Sequence, residues 1–134
     1  MQALPFISSG LKAKSQFDQG KDAKRSAFMS AAAAASQGYA DEAMQRRSAR
    51  QLMGEQAAAM AQAGGGTGGT NAGVNEQSAI NAEMDALNIR YGAATRAFNL
   101  REEGRVAKRQ GKAAAVNTIF QAAAKAYGQS GQGE

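Results

Sequence analysis

Residues 80–98 read INAEMDALNIRYGAATRAF, and the spacing of the bulky side chains in this stretch decides the predicted fold. Apolar residues recur at alternating steps of four and three, at Ile80, Met84, Leu87, Tyr91, Ala94 and Phe98. This spacing places six side chains in one stripe along an α-helix and repeats every seven residues, as in helices that pack on other helices. The stripe loses phase across Arg101–Lys112 and resumes at Ala113 without an intervening proline. We therefore predict one long helix over residues 74–127.

The predicted helix is too long to bury this stripe by itself. At 1.5 Å per residue it extends for about 80 Å, and its apolar side chains need a second helix, other copies of the chain, or both. We predict a seam that is buried between helices and partly between copies of the chain, formed by Ile80, Met84, Leu87, Tyr91 and Phe98. Gly92, next to this seam, either admits close approach of a neighbouring backbone or is an ordinary soft spot in an exposed helix.

A glycine-rich stretch precedes this helix. Residues 63–73 read AGGGTGGTNAG, in which six of eleven residues are glycine. This composition predicts a flexible linker or a tight reversal between two antiparallel helices. No Gly-Lys-Ser/Thr follows the glycines and no apolar strand precedes them, which argues against a phosphate-binding P-loop. Asn75 is the predicted N-cap of the second helix.

The remainder of the chain predicts one more helix and two irregular ends. Residues 15–62 are predicted to form the first helix, with a weaker apolar stripe than the second. Three glycines mark points where this helix could bend or break: Gly20, Gly38 and Gly54. Residues 1–14 are predicted to be an irregular lead around the only proline, and residues 128–134 a polar, disordered tail.

The composition favours thin helices over a large globular core. Apolar residues make up 43% of the chain, but alanine supplies most of them and there is no tryptophan. Alanine favours helix and buries little apolar area. We therefore predict an all-α fold of two long helices, an extended coiled-coil-like hairpin joined by the glycine-rich linker, which assembles into a multi-copy ring or tube.

The sequence lacks the residues on which most catalytic and metal sites depend. Because Cys and His are absent, the chain has no thiolate and neither the commonest general base nor the commonest metal ligand. The adjacent acids Asp41–Glu42 and Glu102–Glu103 point about 100° apart on a helix, so neither pair converges on one atom. Asp41 and Glu42 are instead predicted to pair with Arg46 on the helix surface, and Glu102 is predicted to pair with Arg105. We predict that the chain is not an enzyme, has no metal site and binds no cofactor.

Nothing in the sequence has the pattern of a targeting or membrane-spanning segment. Met1–Gly10 has no basic start and too short an apolar run for a secretory signal. No stretch approaches the ~20 apolar residues of a membrane span. We expect a protein that is soluble when made, in a reducing cytoplasm.

Cations are concentrated in residues 96–112, which contain six Lys and Arg against two acids. Five of them share one face of the predicted helix and form a basic ridge: Arg101, Arg105, Lys108, Arg109 and Lys112. The ridge is either a solvated face or a contact for a polyanion. We predict that it faces DNA in the lumen of the assembly or acidic groups at a membrane surface, in contacts that are independent of sequence and sensitive to salt. An acidic block at residues 76–90 also suits charge matching between neighbouring copies.

The second half of the chain carries a resemblance to a known family. The segments AEMDALNIRY at residues 82–91 and RQGKAAA at residues 109–115 carry most of it, within a similar region from Gln51 to Phe120. This region resembles small internal virion proteins of tailed phages, in particular the smallest DNA-ejection (internal core) protein of T7-like podophages. The first fifty residues match in composition only.

The resemblance implies a function that spacing alone does not. Members of this family are made in the host cytoplasm, stored inside the capsid and released through the tail at infection. They then assemble at the host outer membrane as part of a conduit for genome entry. The implied partners are further copies of the chain, other internal virion proteins, portal or tail proteins, genomic DNA without sequence specificity, and the host outer membrane.

Two other functions fit the same sequence features. One is a structural coiled-coil subunit, such as a capsid scaffold or a secretion-needle-like protein. The other is a small basic protein that binds nucleic acid without sequence specificity. Copy number and closed symmetry distinguish an ejection protein from a nucleic-acid-binding protein, and presence in the mature particle distinguishes it from a scaffold.

Overall fold

The computed structural model describes residues 4–64 and 70–130 of the chain, and their side chains over residues 8–64 and 73–128. Two helices make up almost all of this part: α1 over Leu4–Gln62 and α2 over Thr70–Ser130. No strand occurs in the described residues. The helices pack against each other as an antiparallel hairpin, so the predicted all-α fold of two long helices is confirmed. A ring or tube of several copies remains a prediction.

The helices are longer than the sequence predicted. α1 begins at Leu4, so residues 4–14 are helical and not an irregular lead. The reason is that Pro5 lies in the first turn, where its missing N–H group has no helical partner to lose. α2 begins at Thr70 and continues to Ser130, beyond both predicted limits. Asn75 therefore lies inside the helix, and its predicted role as the N-cap is wrong.

α1 ends at a glycine in the left-handed conformation. Gly64 has a φ of +71°, and its N–H group donates to the carbonyl of Ala61 over 3.3 Å. This bond and the positive φ are those of a Schellman-type cap, which satisfies a carbonyl group at the end of the helix. Residues 65–69, the centre of the predicted linker, lie outside the described residues.

The chain divides into two compact units, and each contains a segment of both helices. Unit 1 comprises Met1–Ala31 and Phe98–Glu134, and unit 2 comprises Ala32–Ala97. In each unit the contact between α1 and α2, here called the hairpin seam, is made largely by alanine and glycine. No large side chain in the described residues is fully buried.

Glycine backbones meet across the hairpin seam of unit 1. A Cβ atom built on Gly20 would lie 3.1 Å from Gly111 Cα and 3.2 Å from the carbonyl oxygen of Ala107. A Cβ atom built on Gly104 would lie 2.8 Å from the Cβ atom of Ala27. These distances are shorter than ordinary van der Waals contacts, so a side chain at either glycine would press against the neighbouring helix. Gly92, by contrast, has no neighbouring backbone within 4 Å, so the close approach considered there occurs at other glycines.

The hairpin seam of unit 2 combines small residues with a partly buried ion pair. A Cβ atom built on Gly38 would lie 2.1 Å from the Cβ atom of Ala93, which is itself buried. Ala86 and Glu42 are also buried. Glu42 is bound by Arg46 of the same helix, 3.0 Å away, which compensates for removing the carboxylate from water.

In the described residues the buried positions recur at steps of four, seven and eleven. On α1 they are Ala13, Gly20, Ala31, Gly38 and Glu42, and on α2 they are Ala86, Ala93, Ala97, Gly104 and Ala115. Each of these steps is close to a whole number of turns at 3.6 residues per turn. The buried residues of each helix therefore share one face of that helix.

The bulky seven-residue stripe does not lie in the hairpin seam. Its members Ile80, Met84, Leu87, Tyr91 and Phe98 are between 48% and 75% exposed. We predicted that these residues are buried between helices, and for the two helices of one chain this prediction is therefore wrong. The physical reason is that alanine and glycine allow a closer contact between the helices than these larger side chains would. Their burial between copies of the chain remains a prediction.

Candidate interaction surfaces

The exposed stripe on α2 is the first candidate surface. The five residues predicted as the oligomer seam, Ile80, Met84, Leu87, Tyr91 and Phe98, are called the outer stripe below. They project from a different face of α2 than the buried alanines. Large exposed apolar groups continue on the same helix at Val116, Phe120 and Tyr127. Rows of large apolar side chains that are exposed usually mark a site of interaction.

The structure places most of the basic ridge on the surface of unit 1. Arg101, Arg105, Arg109 and Lys112 are exposed, whereas Lys108 is half-buried beside the hairpin seam. Arg105 forms the predicted ion pair with Glu102. The ridge therefore presents cations to solvent on one helix, and its contact with a polyanion remains a prediction.

The formal charges of the two units differ strongly. Unit 1 contains eleven Lys and Arg against five acids, a net charge of +6, and unit 2 contains five against six, a net charge of −1. The two values add up to the net charge of +5 of the whole chain. This asymmetry favours contacts between unit 1 of one molecule and an acidic surface elsewhere.

Arg46 connects the two helices within unit 2. Its guanidinium donates to Glu42 Oε1 on α1 and, over 2.8 Å, to Glu83 Oε1 on α2, with a second hydrogen bond to the other oxygen of Glu83. These hydrogen bonds, first to Glu83 and then to Glu42, raise the pKa of Arg46 above its ordinary value. The pair with Glu42 confirms the sequence prediction. The bridge to Glu83 was missed, since the sequence gives no alignment of one helix against the other.

A row of aromatic residues on α1 was also missed. Phe17, Phe28 and Tyr39 are spaced by eleven residues. Each ring has a cation over it: Lys21 at 4.8 Å, Lys24 at 5.0 Å and, from α2, Arg90 at 5.5 Å from the respective centroid. Such cation–π contacts stabilise partly exposed rings. The eleven-residue spacing is the sequence signal that could have identified this row.

An apolar groove lies between the helices of unit 1. Its volume is about 500 Å³. α1 and α2 each contribute four residues at positions i, i+3, i+4 and i+7, namely Gly10, Ala13, Lys14 and Phe17, and Lys112, Ala115, Val116 and Ile119. Apart from the two lysines the lining is apolar. The groove therefore suits an apolar partner surface that has a negatively charged group beside it.

The described residues contain no group of three or more acidic side chains placed to hold a metal ion. Within the same residues, neither helix has a stretch apolar enough and long enough to cross a membrane. Comparisons with protein-family models, with curated proteins and with solved structures found no match to this chain.

Proposed function

We propose that this chain is an internal virion protein of a tailed phage, released through the tail at infection and assembling with copies of itself into a conduit for the genome at the host outer membrane. The observation that carries the proposal is the outer stripe, which a single hairpin leaves in water. The resemblance of residues 51–120 to phage ejection proteins supplies the biological setting.

The exposed stripe supports assembly because it holds apolar area that one molecule does not cover. Leu87 is 48% exposed and Tyr91 is 75% exposed. Burial of apolar surface contributes roughly 25 cal/mol per Å². A row of five such side chains therefore offers a substantial driving force for association, and other copies of the chain present the same row.

The small-residue hairpin seam supports passage through a narrow tail. Its buried apolar residues are all alanines in the described part of the chain. Alanine burial contributes little free energy per residue, and small proteins have small net stability. A hairpin held together in this way unfolds at low cost, which suits a protein that leaves the capsid through a narrow channel and refolds outside.

The basic ridge supports a loose contact with DNA. Arg101 and Arg109 are exposed, and neither has an ion-pair partner in the described residues. Cations that meet phosphates without reading bases hold DNA without sequence specificity. A conduit requires such contacts, because tight sequence-specific binding would stop the passage of the genome.

A structural coiled-coil subunit, such as a capsid scaffold, is the second candidate, because the outer stripe would serve it equally. The proposal is tested by quantitative mass spectrometry of purified particles of the phage that encodes this chain, before and after release of the genome. We expect several copies per mature particle and loss of most of them on release. Absence from mature particles would favour the scaffold, and full retention after release would contradict ejection.

A further inference from the structure

We infer that the groove of unit 1 receives Ile80, Met84 and Leu87 of the outer stripe of a second copy of the chain, with Glu76 of that copy beside Lys112. The inference rests on the proposed function only in requiring that copies of the chain associate. It goes further by naming the two surfaces that meet and the direction in which they meet.

The groove has the shape of a site for one helix face. Its floor is made by small residues, since Ala13 and Ala115 are buried and Gly10 has no side chain. Phe17, Val116 and Ile119 also line it. Each helix contributes a stretch from i to i+7, which is about 10 Å long at 1.5 Å per residue. A helix that lays apolar side chains into such a groove is a common mode of recognition.

The first three residues of the outer stripe have the matching length and chemistry. Ile80, Met84 and Leu87 lie at positions i, i+4 and i+7, which also span about 10 Å of helix. All three are about half exposed in the single chain. The same contact would therefore cover an apolar groove and the first part of an apolar stripe, both of which the isolated molecule leaves open.

Charge determines the direction of this contact. Glu76 lies one turn before Ile80 on α2, is exposed, and has no ion-pair partner in the described residues. Lys112 lies opposite Phe17 at one end of the groove, and the remainder of the basic ridge continues beyond that end. Placing Glu76 at that end brings it beside cations, whereas the reverse direction places it beyond Gly10 and Ile119, away from both lysines of the groove.

The inferred contact joins different surfaces of two molecules. It pairs the +6 unit with the −1 unit, so the two surfaces in contact belong to units of opposite net charge. Each molecule offers one groove and one stripe, so every copy can bind one neighbour through each. Such a heterologous contact generates a closed ring if the rotation closes and an open filament if it does not.

The first test is disulfide cross-linking between single-cysteine variants, which is unambiguous because the chain contains no cysteine. Val116→Cys marks the groove and Met84→Cys marks the stripe. A mixture of the two variants should give cross-linked dimers at least tenfold above either variant alone. Asp85→Cys is the matched control, because its side chain is exposed next to the stripe but points about 100° away. Equal cross-linking with Met84→Cys and Asp85→Cys would overturn the inference.

The second test is a charge exchange followed by analytical ultracentrifugation of the full chain. Lys112→Glu and Glu76→Lys should each weaken association roughly tenfold, and the two changes combined should restore it. Lys125→Glu and Asp85→Lys are matched controls that change the same charges outside the contact and should have little effect. Failure of the combined variant to restore association would contradict the pairing of these two residues.

The outcomes separate this inference from the proposed function. Stable oligomers without the Val116–Met84 cross-link would overturn the interface and leave self-assembly standing. If the chain stays monomeric and phosphatidylglycerol vesicles block labelling of the Val116→Cys thiol, the ligand of the groove is an anionic lipid instead. A chain that neither associates nor binds vesicles would overturn the interface, while the presence of the protein in virions is decided by mass spectrometry alone.

Discussion

At the scale of single residues, the closeness of the two helices depends on a few glycines. Gly20 and Gly111 place their backbones against each other in unit 1, and Gly38 faces Ala93 in unit 2. The sequence predicted Gly20 and Gly38 as points where α1 could bend or break. Within the described residues α1 is continuous through both glycines. The reason is that the packing of a close contact offsets the lower helix propensity of glycine.

Gly111→Ala should destabilise the protein. Its Cβ atom would lie 2.8 Å from the carbonyl oxygen of Gln16 and 2.9 Å from Gly20 Cα, both of them backbone atoms that cannot move aside alone. We expect the free energy of unfolding to fall by about 1–2 kcal/mol in urea denaturation, after allowance for the better helix propensity of alanine. The matched control is Gly54→Ala, which meets nothing within 4 Å and should stabilise α1 by about 0.5–1 kcal/mol. Equal effects at the two glycines would contradict a close contact at Gly111.

The Arg46 bridge should fix the alignment of α1 against α2 in unit 2. Arg46→Gln removes the hydrogen bonds to Glu42 and Glu83 and leaves the buried carboxylate of Glu42 without its cation. The melting temperature should therefore fall further than in Arg47→Gln, which changes an exposed arginine that has no ion pair in the described residues. Because the pKa of Arg46 is raised in the folded protein, its contribution is fully present below the unfolded pKa and is lost only in strongly alkaline solution. No titration of this arginine should appear near neutral pH.

At the scale of the helices, bulky and small side chains lie on two different faces of α2. The seven-residue spacing of bulky side chains predicted helices correctly, because any apolar spacing near 3.6 residues indicates one. It did not predict which face makes the hairpin, because alanine and glycine contribute little to a pattern weighted by hydrophobicity. The face that makes the hairpin is marked by the small residues Ala86, Ala93, Ala97 and Gly104, at steps of seven and four that are also present in the sequence. The alignment that brings Arg46 to Glu83 depends on the packed backbones, and a single sequence does not contain it.

Leu87→Asp should separate folding from assembly. Leu87 lies outside the hairpin seam and is 48% exposed, so an aspartate there leaves the helix content of the single chain unchanged in far-UV circular dichroism. In an interface between copies the same aspartate would be buried without a partner, at a cost of several kcal/mol. We expect sedimentation to show the loss of assembly, with Asn88→Asp, the adjacent exposed position, as the matched control. Normal assembly of Leu87→Asp would show that the outer stripe is not the contact between copies.

At the scale of the whole molecule, the cations are concentrated in unit 1 and the acids are more evenly divided. Replacing Arg101 and Arg109 with glutamine tests the predicted contact with DNA without disturbing the groove, which neither residue lines. The slope of log binding constant against log salt concentration is negative, and each lost phosphate contact should reduce its magnitude by about 0.9 for duplex DNA. Unchanged DNA binding across salt concentrations would remove DNA as the partner of the basic ridge.

The claim at the centre of this account is that a hairpin closed by small residues leaves its bulky stripe free for other copies. Cryo-electron microscopy of the assembled protein tests it most directly, because one reconstruction shows both contacts. We expect Gly20 to remain against Gly111 within each chain, while Ile80, Met84 and Leu87 are buried against a neighbouring copy. Two results would contradict the account. One is an assembly in which these three side chains face solvent. The other is a rearranged hairpin in which they pack between the two helices of one chain.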